Sequence, residues 1–354
     1  MSTTTSDRFT DASKWEGSEI GGRPVDPTAP LLAVDKLSVE FRTDRGVVNA
    51  VNELSYELNA GETVAILGES GSGKSVSAQA VMGILDSPPG FVTNGTVKFR
   101  GVDLLTLPER ERRAIRGNRI AMIFQDALTA LNPVYTVGWQ ISEMFKVHQG
   151  MKKKEARERT IELLDLVGIP TARDRFDAYP HEFSGGMRQR VMIAMSLALD
   201  PDVLIADEPT TALDVTVQAQ VMGLLAELQE RYKMGLILIT HDLGVVADVA
   251  DRVVVMYAGR EVEKATAKEL YAQPLHPYTA GLMNSIPRAD RSGQRLDPIV
   301  GQPPDLAHIP PACPFHPRCP MFRQGHCDVE MPAFRELAPG RFSACHYAEE
   351  LYQT

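Results

Sequence analysis

The sequence has 354 residues, 44% hydrophobic and 23% charged, which is typical of a globular protein and excludes a fibrous or wholly disordered chain. Its 37 Lys and Arg against 46 Asp and Glu give a net charge of -9 at pH 7, which disfavours a nucleic-acid partner. The chain contains no run of about 18 apolar residues that could span a bilayer. Its N-terminus also lacks the basic and apolar regions of a secretory signal, so we expect a cytoplasmic protein.

The first part of the chain changes character near residue 31. Residues 1–30 are rich in Thr, Ser, Gly and Pro without periodicity, which predicts a flexible N-terminal tail. Short apolar or alternating runs then follow at residues 31–34, 37–41, 47–51 and 54–58. Such runs predict strands at the edge of a sheet.

Later segments alternate between strand and helix patterns. Residues 63–67 form a continuous apolar run before a glycine, as expected of a buried parallel strand. Residues 151–169 have helical spacing, with Ile161, Leu164 and Val167 on one face after a charged stretch that we interpret as solvated. Two further apolar runs, 203–206 and 236–239, flank another helix-like segment. This alternation predicts an α/β fold with parallel strands, in which ligands bind at the carboxyl ends of the strands.

The strongest single motif is the glycine-rich segment at residues 68–75. Its sequence, GESGSGKS, fits G-x-x-x-x-G-K-[ST] and directly follows a predicted strand. The glycines Gly68, Gly71 and Gly73, with Ser70, allow backbone N–H groups to surround phosphate oxygens at the start of a helix. Lys74 would reach the β- and γ-phosphates, and the Ser75 hydroxyl would coordinate Mg²⁺.

A phosphate-binding loop needs an acid for the metal and a group that handles the attacking water. The apolar run 203–206 ends in Asp207 and Glu208. Asp207 can hold the Mg²⁺ shell and Glu208 can polarise water. An acidic pair alone is usually a pair of solvated surface residues. Here the pair follows a predicted strand in a chain with a phosphate-binding loop, which favours a role at the nucleotide site.

Together with a third motif, these residues resemble the ATP-binding cassette (ABC) ATPases over about residues 31–272. Residues 183–190, FSGGMRQR, resemble the signature sequence of that family and keep its Ser184-Gly185-Gly186 core, although Phe183 and Met187 depart from the commonest form. A serine and two glycines at a helix start form a second anion site. The resemblance implies that this site acts on the ATP of a partner subunit, because two cassettes pair head to tail. It also implies a P-loop NTPase core with an antiparallel β edge and a helical subdomain at about 126–190.

Further family elements occur at matching places. Gln125 resembles the glutamine that touches Mg²⁺ and water, residues 212–214 resemble the D-loop, and His241 resembles the switch histidine that contacts the γ-phosphate. Phe41 matches the aromatic residue that stacks on adenine, although an aromatic residue at a strand end is often a core residue. The mechanism that follows is in-line attack of water on the γ-phosphate. Glu208 would orient or deprotonate the water, while Lys74, Mg²⁺ and His241 balance charge.

The remainder of the chain indicates which process the ATPase would power. Residues 275–279 (LHPYT), Pro303-Pro304 and 313–320 (CPFHPRCP) resemble the C-terminal extension of the oligopeptide/dipeptide importer branch, whose relatives also import nickel. The resemblance implies a second, similar ATPase in a heterodimer, two permease subunits and an extracytoplasmic substrate-binding protein, at the cytoplasmic face of the membrane. Residues Val134 and Tyr135 would face a permease, or simply pack in a turn. A soluble ABC ATPase that acts on DNA or ribosomes is the less favoured alternative.

All four cysteines lie in this extension, residues 273–354, which we expect to be a separate, loop-rich module. Cys313, Cys319, Cys327 and Cys345 have the spacing C-x5-C-x7-C-x17-C, which is not a zinc-finger pattern. In a reducing compartment, clustered cysteines indicate metal or redox chemistry rather than disulfides. Four thiolates suit a 4Fe-4S cluster, and the resemblance implies one because members of the importer branch carry such a cluster in this extension. Zinc, held with or without one of His316, His326 and His346, and unligated thiols remain alternatives.

Overall fold

The computed structural model describes residues 15–44, 46–210, 214–285 and 298–352. Its strands, in chain order, are β1 (Glu19–Ile20), β2 (Arg23–Pro24), β3 (Leu32–Thr43), β4 (Gly46–Leu58), β5 (Thr63–Leu67), β6 (Gly90–Phe99), β7 (Val102–Asp103), β8 (Ile120–Ile123), β9 (Val203–Asp207), β10 (Gly235–Thr240), β11 (Arg252–Tyr257), β12 (Arg260–Thr266), β13 (Arg335–Ala338) and β14 (Arg341–Ser343). Its α-helices are α1 (Lys74–Met82), α2 (Glu109–Ile115), α3 (Ala127–Ala130), α4 (Val137–Gln149), α5 (Lys153–Leu166), α6 (Ala172–Arg175), α7 (Gly185–Leu197), α8 (Val215–Tyr232), α9 (Leu243–Val249), α10 (Ala267–Ala272), α11 (Pro277–Asn284) and α12 (Ala348–Tyr352).

The chain forms two compact units that interleave along the sequence. The first unit takes its described residues from 15–31, 59–62 and 100–237, and the second from 32–58, 63–99 and 238–352. The division falls within β10, between Ile237 and Leu238. Both units combine strands with helices, so the predicted α/β class is confirmed.

The first unit is built on two buried parallel strands and a group of helices. β8 pairs with β9 in parallel, with Ile120 opposite Val203. Helix α5 lies within the predicted helix at 151–169, and its predicted apolar face is buried at Ile161, Leu164 and the following Val167. The charged residues of α5 form exposed ion pairs, such as Arg157 with Asp177 at 3.0 Å. The charged stretch is therefore a solvated helix face, as predicted.

The start of the first unit differs from the predicted flexible tail. Residues 15–30 include β1 and β2, which pair antiparallel. The Trp15 ring is only 4% exposed, and the guanidinium groups of Arg100 and Arg119 lie over it at 5.6 and 5.0 Å. A composition rich in Ser, Gly and Pro did not reveal that one tryptophan could anchor this segment through burial and cation–π contacts. Residues 1–14 of the predicted tail lie outside the described residues.

The second unit carries the predicted antiparallel edge and a fully buried parallel strand. β3 pairs antiparallel with β4 and β6. The runs at 31–34 and 37–41, predicted as separate strands, are joined in one strand, β3, and those at 47–51 and 54–58 are one strand, β4. The register of the two strands shifts three times between Val34 and Glu40. All five residues of β5 are buried, and β5 runs parallel to β11.

The C-terminal extension continues the second unit rather than forming a separate module. β14 pairs with β12, and β13 pairs with β14, so both strands extend the sheet that contains β11 and β5. Tyr278 and Phe315 of the extension are buried in the same apolar cluster as Val253 and Val255 of β11. A small proline-rich segment obtains its core by packing on a larger one, which its composition alone did not indicate.

The helices of the described ranges, which exclude 1–14, 45, 211–213, 286–297 and 353–354, include none that is long and apolar enough to cross a membrane.

Candidate functional site

The phosphate-loop motif connects β5 to α1 in the second unit. The Lys74 side chain is inside the loop and only 4% exposed. Its ammonium group donates hydrogen bonds to the carbonyl oxygens of Gly68 at 2.8 Å and Glu69 at 2.9 Å. The loop therefore wraps around the lysine that is predicted to reach the phosphates.

Two glycines of the loop are required by close contacts with neighbouring backbone. Gly73 precedes α1 with φ +101°, and a Cβ atom there would lie 2.2 Å from the Ala50 carbonyl oxygen. A Cβ atom at Gly68 would lie 2.3 Å from the Met256 carbonyl oxygen. Glycine is required at these two positions because the backbones of β4 and β11 leave no room for a Cβ atom.

Two residues of the loop are open to solvent. Ser70 and Gly71 are exposed, and nothing lies within 4 Å of a Cβ built at Gly71. Ser75 is half-buried in the first turn of α1, where no side chain caps the helix. The N–H groups at a helix start, next to an exposed loop, provide a favourable position for phosphate oxygens.

In the first unit, the structure brings Gln125 and Glu208 together. The Gln125 amide donates a hydrogen bond to Glu208 Oε2 at 2.9 Å. Glu208 directly follows the buried Asp207 at the end of β9 and has φ +44°, a conformation that is strained for a residue other than glycine. Such strain, of order 1–3 kcal/mol, occurs mainly where the surrounding structure holds a functional residue in place.

The signature-like segment begins α7 in the first unit. Ser184 is the N-cap, and its hydroxyl accepts a hydrogen bond from the Met187 N–H at 3.3 Å. Gly185 and Gly186 form the first helical positions, and a Cβ at Gly186 would lie 2.8 Å from Val217 Cγ1. The segment therefore has the predicted form of a serine and two glycines opening a helix.

The other predicted site residues are more scattered. His241 is exposed at the end of β10, where the motif places it, and Phe41 is half-buried in β3 opposite Val48 and Gly90. Asp214 caps α8 by accepting a hydrogen bond from the Val217 N–H at 3.0 Å. The other two D-loop residues, 212 and 213, lie outside the described residues. The roles assigned to all of these residues stay predictions.

The four cysteines of the extension line one small cavity. All four are free thiols, and Cys327 and Cys345 are buried. Burial, reinforced by the neighbouring thiols, raises the pKa of Cys319 to about 12 and of Cys345 to about 11, and it also raises the pKa of Cys313. Among the residues that the structure describes, no three or more His, Cys, Asp or Glu side chains are arranged to hold one metal ion.

One contact of the phosphate loop was not anticipated from the sequence. Arg318, in the short helical turn His316–Arg318 just before Cys319, forms an ion pair with Glu69 of the loop at 2.7 Å. The Tyr278 hydroxyl accepts a hydrogen bond from the Glu69 N–H at 2.8 Å. Tyr278 belongs to the motif at 275–279 and Arg318 to the motif at 313–320. The two motifs do not indicate that these residues contact the phosphate loop.

Comparison with known protein families matches two regions of the chain. Residues 51–211 match the model of the ABC transporter family, and residues 262–327 match the oligopeptide/dipeptide transporter C-terminal region.

Two relatives match almost the full length. The chain is 51% identical over 332 residues to the oligopeptide transport ATP-binding protein OppD of Salmonella typhimurium, covering 93% of this chain and 97% of that protein. It is 54% identical over 302 residues to the dipeptide transport ATP-binding protein DppD of Bacillus subtilis, covering 85% and 90%.

Solved structures extend the likeness to the fold. A dimeric ATP-binding cassette in a post-hydrolysis state, bound to ADP and Pi, matches with a TM-score of 0.60 and 26% identity, covering 67% of this chain and 98% of the other. CbiO1 of Clostridium perfringens, part of the ABC transporter complex cbiONQ, matches with a TM-score of 0.58 and 30% identity, covering 69% and 91%. The predicted P-loop NTPase fold of the ABC type is thereby confirmed.

Proposed function

This chain belongs to the family of ATP-binding proteins of oligopeptide and dipeptide ABC transporters, and from that premise we propose that it hydrolyses ATP to power import of di- and oligopeptides. The observation that carries the proposal is the match of both the cassette and the C-terminal region to peptide-transport proteins at about half identity. The phosphate loop around Lys74 supports the ATPase activity.

Each predicted site residue has a role in this proposal. Gly68, Ser70, Gly71, Gly73 and Lys74 bind the phosphates of ATP, and Phe41 stacks on its adenine. Ser75, Asp207 and Gln125 would hold Mg²⁺ through side-chain oxygens, the ligand type that this ion prefers. Glu208, positioned by Gln125 at 2.9 Å, orients or deprotonates the attacking water, and His241 contacts the γ-phosphate.

We further propose that the chain works with other subunits at the cytoplasmic face of the membrane. These are a second, similar ATPase in a heterodimer, two permeases and an extracytoplasmic substrate-binding protein. In that assembly Ser184, Gly185 and Gly186 contact the ATP bound by the partner ATPase.

An exposed apolar patch supports the permease contact. Val134 is 70% exposed, Tyr135 43% and Trp139 40%, and the last two rings stack at 4.1 Å. An apolar patch at the surface indicates an interaction site more often than an isolated exposed residue does. We assign it to a permease subunit.

We propose that the four cysteines would hold a 4Fe-4S cluster, for which four thiolates are the usual ligands. Support comes from the one small cavity that all four cysteines line. The cluster would stabilise the extension. Anaerobic purification with iron and sulfide analysis tests this proposal, and colourless, zinc-loaded protein would contradict it.

The transport function is tested by purifying the chain with its membrane partners and reconstituting them in proteoliposomes. We expect ATP-dependent uptake of a labelled dipeptide or oligopeptide, with ATPase activity stimulated by the peptide-loaded binding protein. Uptake of nickel instead of peptides would favour the importer alternative for that ion. Copurification with ribosomes or DNA, without membrane partners, would contradict a transport role.

A further inference from the structure

The C-terminal extension contacts the phosphate loop through the buried side chain of Arg318. The Arg318 side chain is 6% exposed and the Glu69 side chain 26%. Arg318 Nη1 donates to Glu69 Oε2 at 2.7 Å, and Nη2 donates to Oε1 at 3.0 Å. Such a bidentate pair is stronger and more directional than a single hydrogen bond between neutral groups.

Arg318 is itself held in place on several sides. Its guanidinium also donates to the Tyr257 hydroxyl, the Gly301 carbonyl and the Val300 carbonyl, each at 3.3 Å. The preceding buried ring of Phe315 packs on Tyr257 with centroids 5.2 Å apart. The arginine is therefore presented to the loop in a single orientation by the extension and β11.

The main chain of the same loop residue is also fixed by the extension. The Glu69 N–H donates to the Tyr278 hydroxyl at 2.8 Å, and the Tyr278 ring packs on Phe315 with centroids 5.4 Å apart. Thus Tyr278, in the LHPYT segment, contacts the backbone of Glu69, and Arg318, in the cysteine-bearing segment, contacts its side chain. Both segments belong to one aromatic cluster.

Glu69 in turn contacts residues of the loop that is proposed to bind phosphate. Its carbonyl accepts hydrogen bonds from Lys74 Nζ at 2.9 Å and from the Ser72 N–H at 3.2 Å. Its carboxylate is a negative charge in a loop that must receive a polyanion, so it would repel the phosphates unless neutralised. Arg318 supplies the neutralising charge.

We propose that Arg318 is a positioning residue of the nucleotide site, which acts through Glu69 by neutralising its carboxylate so that the phosphate loop can accept ATP. Through it, the cysteine-bearing extension sets the affinity for nucleotide. The inference rests on the proposed function, because it assumes that the loop binds ATP.

The test compares four variants of the full chain by their dissociation constants for ATP with Mg²⁺: Arg318→Gln, Glu69→Gln, the double variant and Arg323→Gln. Because the unpaired Glu69 carboxylate would repel the phosphates, Arg318→Gln should weaken ATP binding about tenfold. Glu69→Gln should bind ATP at least as tightly as the wild type, and the double variant should recover to within about threefold of it. Arg323 is the matched control, because it forms an exposed ion pair with Glu350 in the same extension.

Further readouts separate this role from a loss of folding. The defect of Arg318→Gln should diminish with added salt, because screening weakens the repulsion. Its KM for ATP should rise while kcat at saturating ATP stays within about twofold of wild type, as expected when binding alone is impaired. Arg318→Lys, which keeps the charge but loses the bidentate geometry, should recover part of the affinity.

Three results would overturn the proposal. The first is unchanged ATP affinity in Arg318→Gln. The second is a double variant as weak as Arg318→Gln alone, and the third is a loss of affinity in Glu69→Gln as large as in Arg318→Gln. If the wild-type chain does not bind ATP at all, the proposed function falls and takes this inference with it. The first three results leave the proposed function intact.

Discussion

The side-chain amide of Gln125 donates a hydrogen bond to the Glu208 carboxylate at 2.9 Å across 83 residues of chain. The two residues meet because β8 and β9 are parallel neighbours, with Ile123 opposite Ala206, so that the segments after both strands leave the same edge of the sheet. The contact holds the carboxylate that we assign to water activation in one orientation.

The first prediction concerns this carboxylate. Glu208→Gln keeps the size of the side chain and an oxygen that can accept the Gln125 hydrogen bond, but it removes the base. We expect ATP turnover in the assembled transporter to fall about 10²–10⁴-fold, the usual contribution of a general base, while ATP stays bound. Turnover and retained radiolabelled ATP measure this. Glu162→Gln, which removes a mostly exposed carboxylate on α5, is the control and should keep normal turnover. Near-normal hydrolysis by Glu208→Gln would remove Glu208 from the role.

The second prediction concerns the phosphate loop. Gly73→Ala places a methyl group 2.2 Å from the Ala50 carbonyl oxygen and forces alanine to adopt φ +101°. Gly71→Ala meets open space at φ +79°, so it carries only the backbone cost of about 1–2 kcal/mol. We therefore expect Gly73→Ala to lose nucleotide binding and to unfold at a lower temperature than Gly71→Ala. Equal thermal stability of the two variants would show that the loop can move away from Ala50.

The third prediction is a pH dependence of stability that arises at His276. This residue is buried at the start of α11, where its Nδ1 accepts a hydrogen bond from the Tyr278 N–H at 3.1 Å. Burial lowers the pKa of His276 to about 3, so the folded protein holds it neutral. The unfolded chain binds a proton near pH 6.5, and stability from this group is lost as pH falls below that value.

The measurement compares the wild type with His276→Asn, which keeps a capping acceptor but cannot titrate. The stability of the wild type relative to the variant should decrease by about 1 kcal/mol between pH 7 and pH 5.5, as followed by denaturant unfolding. Burial also raises the pKa of nearby Glu263 to about 7, so this residue makes the folded state less stable as pH rises from 4.5 towards 7. The contribution is present in both proteins and cancels in the comparison. A constant difference across this range would contradict the prediction.

The fourth prediction concerns the apolar patch of residues 134, 135 and 139. Val134→Glu puts a charge on a side chain that is 70% exposed, so the free energy of unfolding of the isolated chain should change by no more than about 0.5 kcal/mol. If the patch binds a permease, the variant should copurify poorly with the membrane subunits and should lose peptide-stimulated ATPase activity. Val147→Glu is matched to it, because Val147 is 67% exposed in α4, and it should behave as the wild type. Normal assembly of the Val134→Glu variant would place the permease contact elsewhere.

Local patterns predicted much of the site. The apolar run 63–67 became the buried strand β5 at the predicted residues, and the serine and glycines at 184–186 open a helix. These features were readable because a strand, a phosphate loop and a helix cap each depend on residues that are close in sequence. The buried face of α5 followed from helical periodicity for the same reason.

The sequence by itself thus determined the α/β class, the phosphate loop, the acidic pair after β9 and the crowding of cysteines in the C-terminal extension. The tertiary structure alone decided that Gln125 bonds to Glu208, that Trp15 is buried with two arginine side chains over its ring, and that Arg318 reaches Glu69 across 249 residues. It also decided that the extension shares its core with β11 instead of forming a separate module. The physical reason is that these contacts depend on which strands become neighbours and which apolar faces pack together, and a local pattern does not specify its distant partner.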